Sequence, residues 1–178
     1  MIDLGSFAPT FSLYDVVSKK DLSLEKLSSP KATVIMFICN HCPYVKHINA
    51  ELVRLANEYM PIGISFIAIN SNDFSAYPED SPENMAKQAN ELKYPFPYLV
   101  DTTQETAKAY EAVCTPDFFI YDGALKLVYR GQLDDSRPSN QIPSDGKDIR
   151  AALDAILAGG KPSPRQRPSI GCNIKWKK

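Results

Sequence analysis

The chain has 178 residues, with 20 Lys and Arg against 21 Asp and Glu, 44% hydrophobic and 23% charged. This composition describes one soluble globular domain with a core of its own, and it is too short for two. A near-zero net charge excludes bulk electrostatic attraction to nucleic acid or an anionic membrane, and no apolar run approaches the ~20 residues that span a bilayer.

The first patterned segment, Phe11-Ser12-Leu13-Tyr14, alternates and predicts a short edge strand. Thr33 to Ile38 is a continuous apolar, β-branched run, the signature of a strand buried on both faces. Val45, Ile48, Leu52, Leu55, Ala56 and Tyr59 follow at helical spacing, and Pro61 closes that helix. A second buried strand is predicted over residues 62–70, so 33–70 reads as a strand–helix–strand unit. Residues 71–82 are polar and form a loop, after which Ser81-Pro82-Glu83 opens a helix running to about Leu92. A short helix is predicted over 103–110. Residues 118–121 and 125–129 flank Asp122-Gly123 as a hairpin. Gln132 to Asp145 is turn-rich, and its charged residues, with Arg130, Asp134, Asp135 and Arg137, read as a surface loop. Asp148 to Leu157 is a last amphipathic helix with Leu153, Ile156 and Leu157 inward, closed by Gly159-Gly160. In the tail, Ile170, Cys172, Ile174 and Trp176 alternate with Gly171, Asn173, Lys175 and Lys177, which predicts that 169–177 docks as an extended strand. The expected division is therefore a domain over 1–160 and a C-terminal extension over 161–178. The basic residues of that extension read as a solvated tail.

Cys39-Asn40-His41-Cys42 lies where the first buried strand hands over to a helix. Free backbone N–H groups and the positive end of the helix dipole favour a thiolate there. Cys39 is expected to be the more exposed sulfur and to attack a partner disulfide, and Cys42, one turn in, to resolve the mixed disulfide. His41 is placed to stabilise the Cys39 thiolate as a nearby imidazolium. A zinc site would need Cys114, Cys172 and His47 to complete the ligand set, because no second CxxC exists; no metal and no cofactor are expected, and His47 is placed on the exposed side of its helix. Thr115-Pro116 precedes a predicted strand, and such a Pro can be cis. Cys114 reads equally as a small buried hydrophobe or a third redox thiol. The start, Met1-Ile2-Asp3-Leu4-Gly5, lacks a basic segment followed by an apolar one, and four cysteines are too few for a disulfide scaffold, so a cytoplasmic location is expected.

These residues resemble the redoxin group of thioredoxin-like proteins and peroxiredoxins, the AhpC/TSA family. Gly5 to Leu13 looks like the shared first strand, Cys39 to Cys42 matches the thioredoxin CxxC, and Thr115-Pro116 matches the cis-proline facing that site. Tyr129 to Pro138 and the Ser169 to Trp176 ending look like a peroxiredoxin-like subgroup called thioredoxin family protein. The resemblance implies a thioredoxin fold: α/β, with a mixed central sheet flanked by helices. It also implies thiol–disulfide exchange with a protein or small thiol partner, and the cis-proline would help bind substrate backbone. Peroxide reduction is a second activity it implies, with a hydroperoxide as substrate and Cys172 resolving from the tail. The peroxiredoxin pattern of Pro and Thr ahead of the peroxidatic Cys is missing, however: Ile35 and Cys39 precede Cys42 at those places, and Ala32 and Met36 precede Cys39. A third reading is a redox-regulated binding protein without turnover.

Overall fold

The computed structural model describes residues 1–178. Strands β1 (Ser12–Asp15) and β2 (Lys20–Ser23) form a hairpin at the sheet edge, followed by the single turn of α1 (Leu24–Leu27). Then come β3 (Ala32–Phe37), α2 (Pro43–Tyr59), β4 (Ile64–Asn70), α3 (Pro82–Glu91), β5 (Tyr98–Val100) and α4 (Glu105–Ala109). The chain continues through β6 (Cys114–Thr115), β7 (Asp117–Asp122), β8 (Leu127–Gly131), α5 (Lys147–Leu157) and β9 (Cys172–Asn173). Seven strands make one mixed sheet in the order β2-β1-β5-β4-β3-β7-β8. The β3–β4 and β4–β5 pairs are parallel, and the others are antiparallel. This is the thioredoxin-like α/β fold.

Every residue of β3 is buried, because helices cover both faces of the sheet. Alternate side chains go to opposite cores. Val34 and Met36 join Val45, Leu52, Leu55, Met85 and Leu153 on the face carrying α2, α3 and α5. Ile35 and Phe37 join Leu24, Ile67, Ile69, Ala107 and Tyr110 on the face carrying α1 and α4. Each fully buried side chain of this kind contributes roughly 1.5–3 kcal/mol. The hairpin forms around Asp122, whose Oδ1 accepts from Ala124 and Lys126 N–H.

Several boundaries differ from the sequence reading. The second buried strand begins at Ile64, because a short 3-10 turn and Gly63 at φ 101 intervene. The edge hairpin partner β2, the four-residue α1 and the three-residue β5 carry too few residues to show a period. On α5 the inward face is Ile149, Ala152 and Leu153; Ile156 sits at the rim and Leu157 is exposed, because the helix presents only one narrow stripe to the sheet. The Gln132–Asp145 segment is no plain surface loop. Buried Asp134 accepts from the backbone N–H of Ser136, Asp145 and Gly146 and from Ser144 Oγ, which folds the loop around one carboxylate. No helix is long and apolar enough to cross a membrane.

The predicted alternation of the tail holds only at Cys172 and Ile174, and only Cys172–Asn173 is a strand. Cys172 and Asn173 pair antiparallel with Thr115 and Cys114. Ile174 is 3% exposed and gives its N–H to Val113 O, whereas Ile170 and Trp176 stand 54% and 40% exposed. The two-residue strand β6 offers no longer edge to pair with. Beyond it, side chains hold the tail: Gln104 Nε2 donates to Lys175 O, and Lys175 and Lys177 N–H donate to Asn72 Oδ1 and Gln104 Oε1.

Candidate functional site

Cys39 leaves the end of β3, and Cys42 is the N-cap residue of α2, with Pro43 in the first turn. Cys42 makes no side-chain capping bond to its own helix, and its carbonyl accepts the Val45 and Lys46 N–H, so its sulfur sits at the positive end of the α2 dipole. Cys39 Sγ lies 3.4 Å from Thr115 Oγ1, and Cys42 Sγ lies 3.4 Å from Thr115 O. The Cys39 and Cys42 thiols are neighbours, and the Cys172 thiol is a neighbour of Cys42. The Thr115–Pro116 bond is cis. The fold thus gathers Cys39 from the turn after β3, Cys42 from the N-cap of α2, Thr115 from β6 and Cys172 from β9 at one point.

The expected exposure of Cys39 is corrected: it is 1% exposed and Cys42 0%, because the β6 segment and the tail lie over both. The charge balance also differs. The bond from Cys39, the Cys172 thiol and the helix N–H lower the pKa of Cys42, whereas its bond to Cys42, burial and the nearby Asp80 carboxylate raise that of Cys39. The direction of these shifts favours charge on Cys42, which sits at the N-terminus of α2.

Asp80 is the residue that the sequence reading missed. It comes from a single 3-10 turn, Pro78–Asp80, and is 1% exposed. Its Oδ1 accepts from Asn40 N–H at 2.7 Å and Asn70 Nδ2 at 3.1 Å. Its Oδ2 accepts from Asn72 Nδ2 at 3.1 Å and pairs with His41 Nδ1. Tyr98 Oη donates to Asn40 Oδ1, which closes the network. His41 therefore turns its Nδ1 to Asp80, with its ring stacked 5.5 Å from Tyr77. One ligand atom each of Cys39, His41 and Asp80 lie within 4.8 Å of one another. Both Asp80 oxygens are already saturated by donors, so the trio is satisfied as a hydrogen-bonded group. The one sequence signal for it was the polar run Asn70-Ser71-Asn72 at the carboxyl end of a buried parallel strand, where sites in α/β sheets gather.

The remaining candidates separate. His47 is exposed and its Nε2 lies 2.6 Å from Ser136 Oγ, so it does not join Cys114 and Cys172 in a ligand set. Cys114 is buried and donates to Pro116 O at 3.7 Å, and burial pushes its thiol up to about 12. It lines a hollow with Asp117, Phe119 and Arg130, where burial raises the Asp117 carboxyl to about 6.

A profile of the AhpC/TSA family matches residues 4–130, which include Cys39, Cys42, Asp80, Cys114 and Thr115 but not the tail. Among solved structures, an uncharacterised conserved protein from Geobacillus kaustophilus is 66% identical, over 99% of this chain and 94% of its own, with a TM-score of 0.98. A hypothetical protein from Sinorhizobium meliloti is 45% identical, over 99% and 96%, with a TM-score of 0.96. A putative thiol:disulfide interchange protein from Chlorobium tepidum shares the fold at 18% identity, over 88% and 99%, with a TM-score of 0.67. A search of curated proteins gave no match.

Proposed function

This chain belongs to the AhpC/TSA family, and from that premise we propose that it is a thiol–disulfide oxidoreductase working through the Cys39–Cys42 pair. One observation carries the reading: Cys39 and Cys42 meet at a strand-to-helix junction, each sulfur 3.4 Å from an oxygen of Thr115, beside the cis Thr115–Pro116 bond. A thiolate is the attacking species in disulfide exchange, and the neighbouring thiol supplies the second sulfur. In the net reaction a partner disulfide accepts two electrons and two protons and leaves as two thiols, while Cys39 and Cys42 close into a disulfide. Run backwards, the same pair oxidises a dithiol. Thr115 lines the pair, next to the cis bond to Pro116, and Asp80 holds the Asn40 N–H and His41 close to Cys39. The partner is a thiol or disulfide compound, and the proposed location is the cytoplasm.

Disulfide exchange is favoured over peroxide reduction, because neither Cys39 nor Cys42 is preceded by the Pro and Thr that a peroxidatic cysteine uses. The test is reduction of a small aliphatic disulfide by the dithiol form, followed by mapping of the oxidised protein. Turnover that requires Cys39 and Cys42 and leaves a Cys39–Cys42 disulfide supports the reading. Hydroperoxide consumption at a higher rate, with a sulfenic acid on either cysteine, overturns it in favour of a peroxidase.

A further inference from the structure

Cys39 and Cys42 are covered, as is Cys114, and Cys172 alone of the four thiols is partly open. Its position is specific. β6 is a strand edge beside the sulfurs, the kind of edge on which an extended peptide adds as a further strand. The chain's own tail has taken it: Thr115 pairs with Cys172 and Cys114 with Asn173. Gly171 passes so close to Thr115 that a Cβ would lie 2.0 Å from the Thr115 carbonyl oxygen, so the approach is available to glycine only. Cys172 then stands beside Cys42, where the cysteine of a paired peptide would stand. Gln104, Asn72 and Asp73 fasten the next residues, so the tail is a fixed part of the site.

We propose that Cys172 is the thiol that meets the external disulfide, and that it passes oxidation inward to the covered Cys39–Cys42 pair through a Cys42–Cys172 disulfide. This rests on the exchange reading above and names its substrate class: a small disulfide, since the edge a polypeptide would pair with is occupied. Cys172 loses its proton to solvent as it attacks one sulfur of RSSR. The S–S bond breaks, Cys172–S–S–R forms, and the departing RS− is protonated by solvent. Cys42 then attacks Cys172 Sγ, forming Cys42–Cys172 and expelling the second RS−, which solvent protonates. Finally the Cys39 sulfur attacks Cys42 Sγ and hands its proton to Cys172. Cys39–Cys42 is now a disulfide, two RSH have formed, and Cys172 is a thiol again.

The experiment treats the fully reduced full-length protein with hydroxyethyl disulfide, quenches with acid, and maps disulfides by mass spectrometry. Wild type is expected to end as Cys39–Cys42. Cys39→Ser is expected to stop at Cys42–Cys172, and Cys172→Ser to form Cys39–Cys42 at least tenfold more slowly. A Cys172→Ser protein that oxidises at the wild-type rate overturns the relay and leaves the exchange reading standing. Wild type that forms no Cys39–Cys42 disulfide at all overturns both. A measurement on wild type alone guards against a misfolded variant: brief iodoacetamide treatment is expected to label Cys172 first, and earlier labelling of Cys39 or Cys42 overturns the proposal.

Discussion

Gly171→Ala places one methyl group where the structure has no room. The added Cβ would stand 2.0 Å from Thr115 O, 2.6 Å from Thr115 C and 3.1 Å from Pro116 N. All three atoms are backbone, so no rotamer change relieves the overlap and β9 must leave β6. Its departure exposes Ile174, whose burial is worth roughly 1.5–3 kcal/mol. It also breaks the Ile174 N–H to Val113 O bond, worth about 1 kcal/mol net. The freed residues regain chain entropy, which offsets part of this loss, so the expected destabilisation is about 2 kcal/mol. At about 2–4 °C per kcal/mol for a domain of this size, Tm falls by about 4–8 °C. Calorimetry reads the stability, and amide exchange at Ile174 together with alkylation of Cys42 reads the uncovering. Both exchange and alkylation are expected to accelerate at least tenfold. A variant with wild-type Tm and unchanged protection of Ile174 would falsify the docked-tail geometry.

Four further outcomes follow from the polar groups. Asp80→Ala strands the Asn40 N–H and the Asn70 and Asn72 amides, each costing about 1–3 kcal/mol, so denaturant titration should show a loss of at least about 3 kcal/mol. The same change removes a negative charge beside Cys39 and so lowers its pKa; faster alkylation of Cys39 in Asp80→Asn is expected, and slower reaction contradicts the assigned electrostatics. Burial raises Asp117 from 3.8 to about 6, so its neutral form suits the folded state and stability falls as pH rises from about 4 through 6. Asp117→Asn should therefore be more stable than wild type at pH 8, by up to roughly 3 kcal/mol, and equal to it near pH 4; a gain at pH 4 instead would refute the assignment. Arg150 pairs with buried Glu51 and with Glu58, tying α5 to α2. Arg150→Ala should cost about 2 kcal/mol in urea unfolding, less than the ~3–5 of a stripped buried pair, because Arg54 still covers Glu51.

Features that depend on neighbours in the chain were legible beforehand. The apolar run of β3, the helical spacing of α2, the turn chemistry of Asp122-Gly123 and the CxxC between strand and helix are all local patterns, and a local pattern fixes which face a residue presents. The strand–helix–strand unit and the position of Cys39 and Cys42 at its first junction follow from them, and the family resemblance implied the thioredoxin fold. What the sequence alone left open is which distant groups meet. Asp80 sits in a polar loop with no period to mark it, and only the return of that loop across the ends of β3 and β4 brings its carboxylate beside Cys39. The alternation of the tail announced an extended segment, but the choice of β6 as its partner belongs to the packed fold, as does the contact of Cys172 with Cys42. The same packing covers Cys39, which its place at the end of a strand had suggested would face solvent. Exposure, pairing of distant strands and the shift of a thiol pKa are properties of neighbours in space, and the chain acquires those neighbours only when both faces of the sheet close.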